Sequence, residues 1–224
     1  MTEGMQEGIR LYRRGKYGDA LTRFLSIPVS ETGESTDLAY FIGLCFARME
    51  KYEDAIVYLE QVVTVDENLA RVYQCRLMLA VAYIFTGRTR LANFELKKLI
   101  DSGYTSPQVF SALGYLSHSF GEDEESLNWY EKALEMDESS TTALNGLGYI
   151  LADAGKDLTR ALSLCKKAFD GNPENPAYLD SLGWVYYKLG LAKEAKTYMR
   201  RAREKSPHDK IIEAHFAEIS KMQE

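Results

Sequence analysis

The chain has 224 residues, 46% of them hydrophobic, 12% aromatic and 27% charged, with a formal net charge of −6 and a pI near 5.3. Enough apolar surface is present for a packed core, so a disordered chain is excluded, and 16 glycines, 5 prolines and 3 cysteines exclude collagen-like and disulfide-stapled architectures. The acidic balance speaks against a nucleic-acid partner, which needs a basic face to neutralise phosphates. Fifteen tyrosines against two tryptophans are the unusual entry. The first residues carry neither a basic region nor an apolar stretch, and the longest apolar runs, 39–47 and 77–85, are far shorter than the roughly twenty residues that span a bilayer. Neither a secretion signal nor direct membrane insertion is therefore expected. Cys45, Cys75 and Cys165 show no CxxC spacing and are expected as buried thiols in a reducing, cytoplasmic compartment.

Taken in chain order, pairs of helical apolar stripes recur at a spacing near 34 residues. The first copy, 1–35, carries Gly8, Leu11, Gly15, Ala20, Phe24 and Ile27, but Gly4 and Glu7 stand where large apolar residues belong, which predicts a poorly anchored first helix. The second, 36–72, carries Ile42, Gly43, Phe46, Ala55, Leu59 and Val62, with three extra residues before the next copy. The third, 73–106, carries Leu79, Ala80, Tyr83, Gly87, Ala92 and Leu96, with Arg76 at a place that expects a large apolar side chain. The fourth, 107–140, carries Phe110, Leu113, Gly114, Ser126, Tyr130 and Ala133, with Ser117 at the eleventh place. The fifth, 141–175, carries Leu144, Leu147, Gly148, Leu151, Ala161, Cys165 and Ala168, with one extra residue after Gly155. The sixth, 176–208, carries Leu179, Leu182, Gly183, Tyr186, Ala195, Met199 and Ala202.

Counting Pro176 as position 1, the recurring places are 4, 7, 8, 11, 20, 24 and 27. Small residues at 8 and 20 let two helices cross closely, and large ones at 4, 7, 11 and 24 fill the space around the crossing. Ser106-Pro107 and Asn175-Pro176 read as capped helix starts, while Pro173 and Pro207 follow second helices that must stop. After Pro207, Ile211, Ile212, Phe216 and Ile219 lie at helical spacing among Lys, Glu, His, Ala and Ser. The segment 209–222 is expected to cap the last repeat, apolar side inward and polar side outward.

This pattern, over residues 1–208, resembles the tetratricopeptide repeat (TPR). The resemblance implies an all-α fold, a right-handed superhelical solenoid of about six helix-turn-helix repeats, forming a single array over 1–224 with 209–222 as a capping helix. It also implies that positions 2, 5, 9, 12 and 13 of each first helix face a concave groove. Those positions hold Tyr12 and Arg13, Tyr40, Leu44 and Arg48, Val81 and Phe85, Tyr115 and His118, Asn145 and Tyr149, and Trp184, Tyr187 and Lys188; Met5, Ile9, Gln74, Leu77, Ile84, Asp153 and Asp180 share the same face. TPR domains that bind acidic chaperone tails use a clamp of Lys, Asn and Arg; here the corresponding places hold Met5, Ile9 and Phe41, with Gln74 and Met78 in the third repeat, so that function is not implied. An apolar or aromatic-bearing segment, an extended peptide or an amphipathic helix of another protein, suits this groove better. The tyrosines divide accordingly: Tyr83, Tyr130 and Tyr186 are packing residues, whereas Tyr12, Tyr40, Tyr115, Tyr149 and Tyr187 belong to the groove.

No GxSxG, HExxH, GxGxxG or phosphate-binding GxxxxGK[ST] is present, so no enzyme, no cofactor and no metal is expected. His118, His208 and His215 are the only histidines; the last two are seven apart and could share a helix face, without the ligands that would complete a metal site. Charge is uneven. Residues 121–138 carry eight acidic side chains against Lys132, and 188–205 carry seven basic ones against Glu194 and Glu204. These patches support a second expectation, a scaffold subunit of a secretion, motility or cell-envelope apparatus joined through its ends and convex faces, with self-association included.

Overall fold

The computed structural model describes residues 2–28 and 35–223, with Ser35 described by its backbone alone. The junction between the first and second repeats, 29–34, lies outside the described residues. Among the described residues there are thirteen α-helices and no strand. They fall into two compact units, Met1–Thr105 and Ser106–Glu224. The first holds α1 (Glu3–Arg13), α2 (Tyr17–Leu25), α3 (Ser35–Arg48), α4 (Tyr52–Val65), α5 (Leu69–Phe85) and α6 (Thr89–Asp101). The second holds α7 (Pro107–Ser119), α8 (Asp123–Met136), α9 (Thr141–Asp153), α10 (Leu158–Gly171), α11 (Pro176–Lys188), α12 (Ala192–Lys205) and α13 (Lys210–Ile219).

Within each unit the odd-numbered helix of a hairpin packs on the even-numbered one that follows. Each even-numbered helix also touches the next odd-numbered one, and successive odd-numbered helices lie side by side. Backbone proximity at the crossings is what the small residues permit. A Cβ on Gly148 would lie 2.6 Å from Cys165 Sγ and 3.0 Å from the Ala161 carbonyl oxygen, and one on Gly8 would lie 2.4 Å from the Phe24 ring. Ala20, Ala55, Ala92, Ser126, Ala161 and Ala195 oppose these residues and are fully buried. Ser126 keeps its hydroxyl satisfied there by donating to the Gly114 carbonyl at 2.7 Å. Tyr130 slides its ring between Gly114 and Gly146, and burial raises its phenol pKa.

The hairpin turns follow one plan. Each first helix ends in a left-handed residue, and the next amide reaches back five residues, as in Leu191 N–H to Tyr186 C=O at 3.0 Å and Lys51 N–H to Phe46 C=O at 3.0 Å. Glycine fills the left-handed place in five of these turns, and Glu50 (φ 58°) fills it in the α3–α4 turn. The extra residue after Gly155 is absorbed by a second left-handed residue, Asp157 (φ 39°), whose carboxylate accepts from Arg160 N–H at 3.0 Å and caps α10. Ser106 and Asn175 cap α7 and α11, each followed by proline.

Four local expectations are revised. α1 is held after all: Met5 is buried, Gly8 admits the Phe24 ring, and Glu7 pairs with Arg23 at 2.9 Å. The extra residues before the third repeat lengthen α5 by a turn at its start, capped by Asn68. Arg76, in place of an apolar residue, reaches the nearly buried Glu95 at 2.6 Å, so an ion pair fills that crossing. In α13, Ile212 and Ile219 are buried, but Phe216 is half-buried, Ile211 is 55% exposed, and His215 takes an inward place.

Because the atoms facing Gly148 include backbone, they cannot move aside as a side-chain end could. Gly148→Val is expected to lower the unfolding free energy by about 2–3 kcal/mol, read by urea denaturation followed by circular dichroism, by the overpacking cost of a filled core.

Candidate functional site

Within each unit some of the predicted groove residues meet one another across the odd-numbered helices and others do not. In the first unit, Arg48 Nε of α3 donates to Tyr12 Oη of α1 at 3.4 Å, and Tyr40 Oη donates to Gln74 Oε1 of α5 at 2.6 Å. Arg71 lies over the Tyr40 ring at 5.1 Å while pairing with Asp37 and, at 3.0 Å, with Asp66. Burial raises the Tyr40 hydroxyl pKa. Arg13 and Arg48 are exposed and Val81 is half-buried. Leu44 is 3% exposed and Met5 4% exposed, so both belong to the core of this unit and offer nothing to a ligand. Phe85 is 66% exposed; one face of its ring stacks on Tyr52 at 4.7 Å, which places it at the hairpin edge.

The second unit holds a continuous row of rings. His118 meets Tyr149 edge-on at 5.8 Å, Tyr149 lies 5.9 Å from His215, His215 stacks on Trp184 at 4.0 Å, and Trp184 stacks on Tyr187 at 4.9 Å. Polar bonds fix each ring. His118 Nδ1 lies 2.7 Å from Asp123 Oδ1, Trp184 Nε1 donates to Asp153 Oδ1 at 3.0 Å, and Tyr187 Oη donates to Glu218 Oε1 at 3.1 Å. Lys188 Nζ donates to the Asp153 carbonyl at 2.9 Å and sits over Trp184 at 5.2 Å. Tyr115 stands apart from the row and is 46% exposed. Asn145 is half-buried and its Oδ1 has no protein partner.

His215 is the residue that sequence reasoning missed. The seven-residue spacing would let it share a helix face with His208, but α13 begins at Lys210, so His208 lies in the turn before it and the two share no helix face. His215 Nδ1 instead meets the buried Asp180 carboxylate at 2.9 and 3.0 Å. Burial raises the Asp180 pKa and the His215 bond works against that rise. Burial, aided by the charges of Asp153, Asp180 and Asp123, raises the Tyr149 hydroxyl, which makes it a poor nucleophile or base. The three thiols are buried and each is pushed up to about 12, far from a reactive thiolate. Among the described residues no group of three or more His, Cys, Asp and Glu could hold a metal ion, and no helix is long and apolar enough to cross a membrane. What these surfaces can do is contact another chain: flat rings with hydrogen-bonded edges, flanked by Arg13 and Arg48 in one unit and by Asp153 and Lys188 in the other.

Removing the imidazole strands the Asp180 carboxylate. His215→Ala is expected to lower the unfolding free energy at pH 7 by about 2 kcal/mol, the cost of a lost bond to a charged group. Because the Asp180 pKa is raised in the folded state, the cost attaches to its ionised form. The deficit is therefore expected to shrink as pH falls through that raised pKa, in denaturation curves taken across acid pH.

A family model described as tetratricopeptide repeat matches residues 50–223. The chain is 43% identical over 76 residues to TPR repeat-containing protein PA4667 of Pseudomonas aeruginosa, which covers 34% of this chain and 13% of that one. It is 29% identical over 106 residues to photosystem I assembly protein Ycf3 of Prochlorococcus marinus, covering 46% and 61%. The chain thus spans less than two thirds of the length of these relatives. Among solved structures it is similar to a chain in the APC/C hetero-tetramer Cut9-Hcn1, with a TM-score of 0.77, 15% identity and coverage of 96% of this chain and 42% of that one, a likeness of fold.

Proposed function

The chain belongs to the tetratricopeptide repeat family, whose members bind other proteins, and on that premise we propose that it is a non-enzymatic module holding an apolar or aromatic-bearing protein segment against its first-helix face. The observation that carries this reading is the row His118, Tyr149, His215, Trp184 and Tyr187, with Tyr115 exposed on the helix that carries His118. Tyrosine and tryptophan anchor protein contacts because each presents a large rigid ring with a polar edge. A hydrogen-bonded row of them loses little entropy on binding. In the first unit Tyr12, Tyr40 and Phe85 extend the same chemistry, and Arg13 and Arg48 select for acidic residues flanking the apolar ones. An extended peptide or an amphipathic helix is the occupant. Buried, unreactive thiols suit a reducing, cytoplasmic compartment.

A second reading is favoured by the charge pattern: α8 is acidic, α12 is basic, and a scaffold subunit could join its neighbours through such faces. The relative named for photosystem I assembly lends it weight. The two readings separate by mutation. Tyr115→Ala with Trp184→Ala is expected to reduce partner recovery in a cross-linked pull-down about tenfold or more, as loss of interface anchors does, while Glu124→Lys with Glu125→Lys leaves it unchanged. The reverse pattern, or a salt-sensitive dimer by light scattering, favours the scaffold.

A further inference from the structure

With histidine neutral, the rings of the row in the second unit have no polar hydrogen left to give. Trp184 Nε1 donates to Asp153 at 3.0 Å and Tyr187 Oη to Glu218 at 3.1 Å. An ionised carboxylate only accepts, so the imidazole nitrogens that face Asp123 and Asp180 carry the hydrogen: His118 Nδ1 at 2.7 Å and His215 Nδ1 at 2.9 Å. His215 Nε2 is thereby left to accept from Tyr149 Oη at 3.5 Å. What the row still offers is acceptors and ring faces. Each carboxylate has room for about four hydrogen bonds, and Asp123 is half-buried and Asp153 exposed. Charge leans the same way. Among the described residues, four carboxylates hold the rings, against two ammonium groups beside them, Lys188 at Asp153 and Lys221 at Glu218.

We propose, resting on the reading of this row as a docking face, that its occupant is a basic segment of a partner protein, presenting arginine or lysine between apolar residues. The cation lies beside Tyr149, where the charges of Asp123 and Asp153 both act on the hydroxyl. The chain itself shows how such a group is received. Lys188 Nζ donates to the Asp153 carbonyl at 2.9 Å, lies 3.7 Å from the Asp153 carboxylate and sits over Trp184 at 5.2 Å. Arginine suits the place best, because its flat fork brings several donors at once and stacks on rings. An uncharged segment would cover the Asp123 and Asp153 carboxylates without giving them a partner, and an acidic one would add repulsion. In the first unit the corresponding face carries exposed Arg13 and Arg48, so the two units select for opposite charges.

The probe is a capped peptide in which arginine alternates with leucine. One control replaces every arginine by citrulline, which keeps the shape and loses the charge, and a second replaces it by glutamate. Each is titrated at neutral pH into the isotope-labelled full chain and followed by amide chemical shifts. The arginine peptide is expected to shift the amides of Tyr149, Asp153 and Trp184, the citrulline peptide to bind there about tenfold more weakly, and the glutamate peptide to leave them unmoved. Asp123→Asn combined with Asp153→Asn keeps an acceptor for His118 and for Trp184. It is expected to bring the arginine peptide down to the citrulline level with the melting temperature unchanged, because exposed charge pairs contribute little to stability. Equal binding of the arginine and citrulline peptides at the row would overturn the inference and leave the docking face standing. Shifts centred on Glu124 and Glu125 of α8, or an arginine peptide indifferent to the double substitution, would overturn it by showing attraction to acidic surface in general. If no peptide moves the amides of the row, the docking face fails together with the inference.

Discussion

Two helices can cross at backbone contact only where neither carries a side chain that holds the axes apart, and in all six hairpins that condition is met at the same two places. Gly8, Gly43, Ala80, Gly114, Gly148 and Gly183 stand on the first helices and Ala20, Ala55, Ala92, Ser126, Ala161 and Ala195 on the second, with Gly114, Gly148 and Gly183 directly beside Ser126, Ala161 and Ala195. At Gly148 the neighbours are a carbonyl oxygen and a backbone nitrogen as well as a thiol, and at Gly183 they are backbone atoms of α12, so the spacing is set by main chain rather than by adaptable side chains. Everything else is arranged around these crossings. Leu147, Leu179, Leu182 and Met199 close the space beside them with no exposure left. The left-handed residue that ends each first helix returns the chain at the angle the crossing requires.

The crossing also decides what remains for binding. Within each unit a second helix is occupied by its own first helix and by the first helix that follows it, so the first helices are left with a face that meets its counterparts in neighbouring hairpins of that unit. On that face a side chain is covered or left open according to the residue on the adjacent first helix. In the second unit the covering is mutual: His118, Tyr149, His215, Trp184 and Tyr187 lie against one another and present edges and outer faces. A surface of this kind is rigid before any partner arrives, which lowers the entropy lost on association. α13 contributes to it through His215, anchored by a carboxylate that burial would otherwise disfavour.

The hairpins were legible because their requirements are local: a glycine or alanine recurring every 34 to 37 residues, flanked by large apolar residues at helical spacing, admits few other packings. What the sequence concealed depends on contacts between helices distant along the chain. His215 reads as a cap residue until Asp180, 35 residues away, is seen beside it. Arg76 reads as a defect until Glu95 on the facing helix supplies its charge. Leu44 and Met5 share the periodicity of Tyr40 and Ile9 yet are buried, because periodicity gives the face of a helix and not the bulk of its neighbour. The exposure of Ile211 beside buried Ile212 follows from the same limit, since both satisfy the apolar spacing of a cap.

The most direct test of the claim that binding follows from the first-helix face is site-specific photo-cross-linking. A photoreactive phenylalanine analogue would be placed singly at Tyr12, Tyr40, Tyr115 and Tyr187 on that face, and at Glu124, Glu135 and Lys167 on the second helices, in the full chain within its native cells. Cross-links to a partner from the first-helix sites, with none from the second-helix sites, are the predicted result. Cross-links from the second-helix sites alone would contradict it.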